Sequence, residues 1–231
     1  MSDEQTNPQE HTRINDILLG PIERPLIQWF IKRMPAWVTP DTLTFIGLFA
    51  SFIVMIAYML CGYNKAFLWL ASFGFLLNWF GDSLDGNLAR HRKIERPRYG
   101  FFLDHSVDTI SIIVIFIGLG ISPFVQFQIA LMALIGYLSM EIMVLSATYT
   151  NGKFQISYGK LGPTEARMLA VLVNTALFFM VEPKINLPWG VFDLYDVVLV
   201  FVTVLMFIFF VSGIVQNARE LAEKERKKVI S

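Results

Sequence analysis

The sequence predicts an all-α integral membrane protein, with six transmembrane helices preceded by an interfacial amphipathic helix and both termini cytoplasmic. Three observations predict it. The chain of 231 residues is 55% hydrophobic and only 16% charged, a smaller charged share than soluble domains carry. Apolar runs close to the ~20 residues that cross a bilayer as helix recur along it. Lys and Arg are placed asymmetrically: of 19, all but Lys65 and Lys184 fall in the termini or in the loops after the second and fourth runs. The positive-inside rule puts those segments, including 90–100 and 150–167, in the cytoplasm.

Taken in order, the first sixteen residues are polar and acidic, without the basic start and apolar core of a cleaved signal peptide. Residues 16–34, "DILLGPIERPLIQWFIKRM", are apolar but interrupted by Pro21, Pro25 and charges, which suits a helix lying on the inner leaflet. The spans are expected near 41–62, 66–88, 101–120, 124–148, 166–182 and 194–216. Breaks fall at Cys61-Gly62-Tyr63-Asn64, Ser122-Pro123, Asn151-Gly152 and Glu182-Pro183. Residues 1–35 are thus read as a cytoplasmic N-terminus, 36–218 as one six-helix domain and 219–231 as a basic tail that anchors at the membrane. Trp29 and Trp37 suit the inner boundary, and Trp69 and Trp189 the outer. No basic block is interleaved with aromatics, so nucleic acid is not an expected partner, and the single Cys61 excludes an internal disulfide or a Cys-based metal cage.

The chemistry concentrates in "GDSLDGNLARHRKIERPRYGFFLDHSVD", residues 81–108. Asp82 and Asp85 are i and i+3 at the end of the second span; Asp104 and Asp108 are i and i+4 at the start of the third. Each pair shares a helix face, and the basic loop between them lets both faces meet at one depth. Two carboxylates about 5 Å apart repel by roughly 3 kcal/mol at an effective dielectric of about 20. Oxygen-preferring divalent cations are the natural counter-charge. Gly86 and Ala89 share the face of the first pair and Gly100 that of the second, which leaves room for a ligand to reach such ions. One rival is an ion-pair network with Arg90, Arg92, Arg96 and Arg98; another is a divalent-cation transporter, since intramembrane acids mark ion paths. A two-metal site clamped on a diphosphate accounts for the small residues as well.

These residues resemble the signature of the CDP-alcohol phosphotransferases, Asp-x-x-Asp-Gly-x-x-Ala-Arg followed by Gly-x-x-x-Asp-x-x-x-Asp. Here it reads "DSLDGNLAR", nine residues of spacer, then "GFFLDHSVD". Upstream, "TPDTLTFIGL" is similar to the family's Thr-Pro-Asn-x-Leu-Thr-x-x-Gly-Leu, with Asp41 in place of the Asn. The resemblance implies transfer of a phosphoalcohol from a CDP-linked donor to an acceptor hydroxyl, with release of CMP. It implies two Mg²⁺ or Mn²⁺ ions on Asp82, Asp85, Asp104 and Asp108, with Gly86, Ala89, Arg90 and Thr44 toward the donor. It also implies Asp108 as the base, a homodimer, membrane lipids as partners, and an active site at the cytoplasmic face of a bacterial inner membrane or an endoplasmic reticulum.

The family contains two chemistries. One transfers phosphocholine or phosphoethanolamine from a CDP-aminoalcohol to diacylglycerol; the other transfers a phosphatidyl group from CDP-diacylglycerol to a polar acceptor such as glycerol phosphate, inositol phosphate or serine. His105 in "FLDHSVD" and Glu165 in "GPTEAR" resemble the first branch, where such a pair would activate the lipid hydroxyl; the alternative is that His105 donates to a carbonyl or to Asp104 and that Glu165 caps a helix or pairs with Arg167. The basic residues Lys153, Lys160 and Arg167 suit a phosphorylated acceptor and keep the second open. Glu141 is expected to hydrogen-bond across helices.

Overall fold

The computed structural model describes residues 12–14, 18–151, 153–155, 162–180, 184–188 and 190–230. Seven helices dominate them: α1 (Gly20–Arg33), α2 (Pro40–Leu60), α3 (Phe67–Arg92), α4 (Pro97–Ile121), α5 (Phe127–Asn151), α6 (Pro163–Phe179) and α7 (Leu194–Ile230). Two short ribbons accompany them, which the sequence pattern did not lead us to expect. β1 (Thr12–Ile14) pairs parallel with β2 (Lys153–Gln155), and β3 (Ile185–Leu187) pairs antiparallel with β4 (Gly190–Phe192). The expected breaks at Gly152 and Glu182-Pro183, the tryptophan Trp189 and the cation Lys160 lie outside the described residues.

Local signals place the helix ends. Thr39 caps α2 by accepting the Thr42 N–H at 3.2 Å, and Pro40 occupies the first helical position, where no N–H is needed. Pro97 and Pro163 open α4 and α6 in the same way. α3 stops at Lys93, whose φ of 56° is the left-handed turn that ends many helices. It therefore runs to Arg92, so "DSLDGNLAR" is helical throughout.

Four helices are long and apolar enough to cross a membrane: Pro40–Leu60, Pro97–Ile121, Phe127–Thr150 and Leu194–Lys227. The other two expected spans fall short of that measure for separate reasons. The last third of α3 carries Asp82, Asp85, Arg90 and Arg92. α6 has 17 residues, about 26 Å of helix, against a hydrocarbon core of about 30 Å. The basic tail is no separate segment, because α7 carries it as helix to Ile230.

Packing centres on α2, α3 and α4. A Cβ at Gly81 would lie 2.5 Å from both Gly47 N and Leu43 O, and one at Gly118 would lie 2.5 Å from Met55 Cα. These contacts let the backbones of α3 and α4 approach α2 closely, the usual work of small residues between membrane helices. At the end away from the aspartates, Tyr58 and Tyr195 share a hydrogen bond of 2.7 Å and both meet Asn174, which donates to Ser72 at 3.2 Å. This buried network joins α2, α3, α6 and α7. Cys61 packs in the same apolar cluster, as expected for a residue with no chemical role.

The first helix does more than lie on a surface. Gly20, Glu23, Ile27 and Ile31 form a buried stripe at helical spacing against Val38, Leu43, Leu84 and Leu88. Ile22, Leu26 and Trp29 face outward. Glu23 Oε1 accepts from Trp79 Nε1 at 2.8 Å and from Ser83 Oγ and Thr164 Oγ1 at 3.0 Å, tying α1 to α3 and α6. Arg92 completes the clamp by donating to the carbonyls of Met34, Pro35, Ala36 and Val38.

Candidate active site

The end of α3 and the start of α4 meet as the spacing predicts. One pocket is lined by Thr44 and Gly47 of α2, Asn78, Asp82 and Asp85 of α3, and Asp104, Val107, Asp108 and Ser111 of α4. One carboxylate oxygen from each of Asp82, Asp104 and Asp108 lies within 4.8 Å of the others. Asp85 borders the same pocket but is held from two sides: Thr44 donates to its Oδ2 at 2.6 Å and the Gly86 N–H to its Oδ1. Thr44, expected toward the donor, acts here on the orientation of an acid.

The small residues stand as expected. A Cβ at Gly86 would meet only the Arg90 side chain, at 3.4 Å or more, and one at Gly100 would meet nothing within 4 Å. Neither glycine is needed for helix packing, in contrast to Gly81, so the acid faces are open rather than filled. Ala89 is half-buried and Arg90 exposed on the same stretch, with Arg90 donating to Asn87 at 2.9 Å.

Two of these arginines, Arg92 and Arg96, bind away from the acid cluster. Arg92 binds the carbonyls before α2, and Arg96 pairs with Asp41, the residue that stands where the family has Asn. Arg96 also stacks 4.2 Å over the Tyr99 ring, whose hydroxyl lies 3.5 Å from Asp41. A cation at the acids comes from α6: Arg167 Nη1 lies 2.6 Å from Asp82 Oδ2. The sequence marks Arg167 only as a member of a basic loop, since no local spacing links it to Asp82. Asn78 and Ser111 were also missed. Each lies about one turn from an aspartate, at i−4 from Asp82 and i+3 from Asp108, so helical periodicity could have found them.

His105 follows Asp104 on α4 and is not among the residues that line the pocket. Its Nδ1 is 2.9 Å from the Phe101 carbonyl oxygen and 3.8 Å from Asp104 Oδ2, and its ring stacks on Phe101 at 4.1 Å. Glu165 has its oxygens on backbone amides: Oε1 accepts the Leu19 N–H and Oε2 the Gly162 N–H, each at 2.9 Å. It caps α6 and holds the entry of α1. Glu141 accepts from Thr109 at 2.9 Å, the expected bond across helices, here between α4 and α5.

The profile of the CDP-alcohol phosphatidyltransferase family matches residues 37–215. The chain belongs to that family. Among curated proteins it is similar to cholinephosphotransferase 1 of Gallus gallus, 26% identical over 168 residues, covering 68% of this chain and 48% of the relative. The Xenopus laevis cholinephosphotransferase 1 is 31% identical over 98 residues, which is 40% of this chain and 24% of that protein. A CDP-diacylglycerol–serine O-phosphatidyltransferase of Encephalitozoon cuniculi is 32% identical over 145 residues, 56% of this chain and 38% of the relative. The chain thus spans less than half the length of these relatives. Among solved structures, the Mycobacterium tuberculosis phosphatidylinositol phosphate synthase in complex with manganese and citrate superposes with a TM-score of 0.58 at 21% identity, covering 84% of this chain and 87% of that one. The same enzyme with CDP-diacylglycerol bound gives a TM-score of 0.57 at 20% identity, over 85% and 94% of the two chains. The shared fold and the four apolar helices make this an integral membrane protein.

Proposed function

We propose that this chain transfers a phosphoalcohol from a CDP-linked donor to an acceptor hydroxyl and releases CMP, with Asp82, Asp85, Asp104 and Asp108 holding two divalent cations, Mg²⁺ or Mn²⁺. The observation that carries this reading is the convergence of three carboxylate oxygens within 4.8 Å beside Asp85, under the open faces of Gly86 and Gly100. The donor set fits the ions, since hard divalent cations take carboxylate oxygens. When bound, they neutralise the donor diphosphate and improve CMP as a leaving group.

The protein's own groups do the rest. Thr44 and the Gly86 N–H fix the rotamer of Asp85. Arg167 offsets the crowded negative charge from the α6 side. The acceptor proton has two candidate takers. Asp108 lines the pocket itself. His105, with Nδ1 2.9 Å from the Phe101 carbonyl oxygen and 3.8 Å from Asp104 Oδ2, is the second. Glu165 is engaged at the helix cap, so it fixes α6 rather than orienting the imidazole.

Of the two donor classes, transfer from a CDP-aminoalcohol to diacylglycerol is favoured, by His105 beside Asp104 and by the likeness to cholinephosphotransferases. Arg167 at the acids is the observation that supports the other class, with an anionic or phosphorylated acceptor. A cation transporter fits less well, because Glu141, the acid that could extend a path, is bonded to Thr109. The reading includes six crossings, α2 to α7, with α1 along the membrane surface, both termini and the acids on the cytoplasmic side, and a homodimer.

The test is CMP release by purified protein with Mg²⁺ or Mn²⁺ and two substrate sets. Release from CDP-choline or CDP-ethanolamine with diacylglycerol, and loss on EDTA addition, is the expected result. Release only from CDP-diacylglycerol with a polar acceptor would move the assignment to the second class. Silence with both sets, in protein that binds Mn²⁺, would overturn the transferase reading.

A further inference from the structure

Hydroxyls inside these helices follow a common habit. Ser51, Ser72, Ser122, Thr109, Thr148 and Thr175 each donate to a carbonyl three or four residues back, at 2.6–2.9 Å. That bond is the cheap way to satisfy a buried O–H in a helix. Ser111 departs from it. It is 5% exposed, and its Oγ has no hydrogen-bond partner. Thr203 shares the omission, but it sits in α7 and does not line the acid pocket. Ser111 does line it, one turn beyond Asp108 and together with Asn78 and Val107. Carboxylates border that pocket, yet the Ser111 hydroxyl bonds none of them. A buried hydroxyl left unsatisfied is costly, so a position of this kind is explained by an occupant that accepts the bond.

We propose that Ser111 is a further ligand-contacting residue of the pocket, its hydroxyl donating to an oxygen of what the aspartates hold there. That oxygen belongs either to a water on the bound cation or to a phosphoryl group of the donor; the chemistry of the contact is the same. The inference rests on the metal-and-diphosphate reading above and adds to it a hydroxyl contact one turn beyond Asp108.

The experiment compares wild type, Ser111→Ala and Ser111→Thr as full-length protein in detergent, with Ser111→Cys as a second variant should Ala disturb folding. Mn²⁺ affinity is read from the EPR signal of free Mn²⁺, and CDP affinity by calorimetry at saturating Mn²⁺. Ser111→Ala is expected to weaken one of the two by about 5- to 10-fold, the size of one hydrogen bond, with Thr retaining most of the affinity. A fall in Mn²⁺ affinity without nucleotide identifies the water; unchanged Mn²⁺ affinity with a fall for CDP identifies the phosphoryl oxygen. Unchanged values of both in folded Ala protein overturn the inference, including the case where only the melting temperature moves. Failure of the underlying reading looks different: wild type itself would bind no Mn²⁺, or Asp82→Asn and Asp108→Asn would bind it as wild type does.

Discussion

Asp41 and Asp82 are chemically identical, and their neighbours give them opposite tasks. Asp41 is partly exposed and pairs with a half-exposed Arg96, an arrangement that solvent screens strongly. Asp82 faces Asp104 and Asp108 across a pocket and has Arg167 at 2.6 Å. Asp82→Asn is expected to cut metal-dependent CMP release by more than about 100-fold while the protein still inserts, as loss of a charge clamp on a transferring phosphoryl group does. Asp41→Asn should change it by less than about 3-fold, the worth of a surface pair; the two rates measured side by side would contradict the metal site if they came out alike. Arg167 supplies a second case. Removing one partner of a buried ion pair costs about 3–5 kcal/mol, so Arg167→Gln should lower the melting temperature in EDTA. Divalent cations should recover much of that loss, since ligands that bind only the folded state stabilise it. An equal drop with and without metal would make Arg167 a purely structural cation.

At the scale of elements, two kinds of glycine have different consequences. Gly81 lets α3 lie against α2, since a Cβ there would meet Gly47 N and Leu43 O at 2.5 Å, both backbone atoms that cannot swing away. Gly81→Ala should therefore cost about 1–3 kcal/mol through overpacking, read as a lower melting temperature in detergent. Gly100→Ala meets nothing within 4 Å and should leave the melt unchanged. Equal melts for the two variants would disprove the close approach of α2 and α3. The aspartate helices depend on this approach, because Asp82 is the residue after Gly81 and Asp85 lies one turn on. α1 adds a second restraint at the same place. Glu23, 8% exposed, bonds Ser83 beside Asp82 and Thr164 three residues before Arg167, so one carboxylate fixes the spacing of the two helices that supply that ion pair.

For the whole molecule, the topology turns on which helices cross. α3 and α6 fall short when judged alone, one by charge and one by length, but a helix packed inside a bundle does not face lipid along its whole length. α6 packs on α3, and Asn174 of α6 is buried among Tyr58, Tyr195 and Ser72. In a Cys61→Ser background, Lys65→Cys and Lys184→Cys should react with an impermeant maleimide from the outer side, and Lys93→Cys and Arg226→Cys only after permeabilisation. Labelling of Lys65→Cys and Lys93→Cys from the same side would exclude the crossing by α3. Equal reactivity of Lys184→Cys and Arg226→Cys would exclude that by α7.

What the sequence determined by itself is what depends on neighbours along one helix. The i, i+3 and i, i+4 aspartates, the open Gly86 and Gly100, the proline helix starts and the apolar runs are all local. Helix geometry alone converts such spacing into a shared face, and each was legible before any fold was known. The tertiary structure decided whatever joins residues far apart in the chain. It gave Asp82 its partner in Arg167 and Asp85 a support in Thr44. It placed Glu165 at a helix cap and drew α1 into the bundle through Glu23. The physical reason is reach: a side chain finds such a partner only after backbones have packed, and periodicity carries no information across that distance. Ser111 stands between the two cases. Its position on the Asp108 face was readable from spacing, but only the packed helices show that its hydroxyl is buried without a bond.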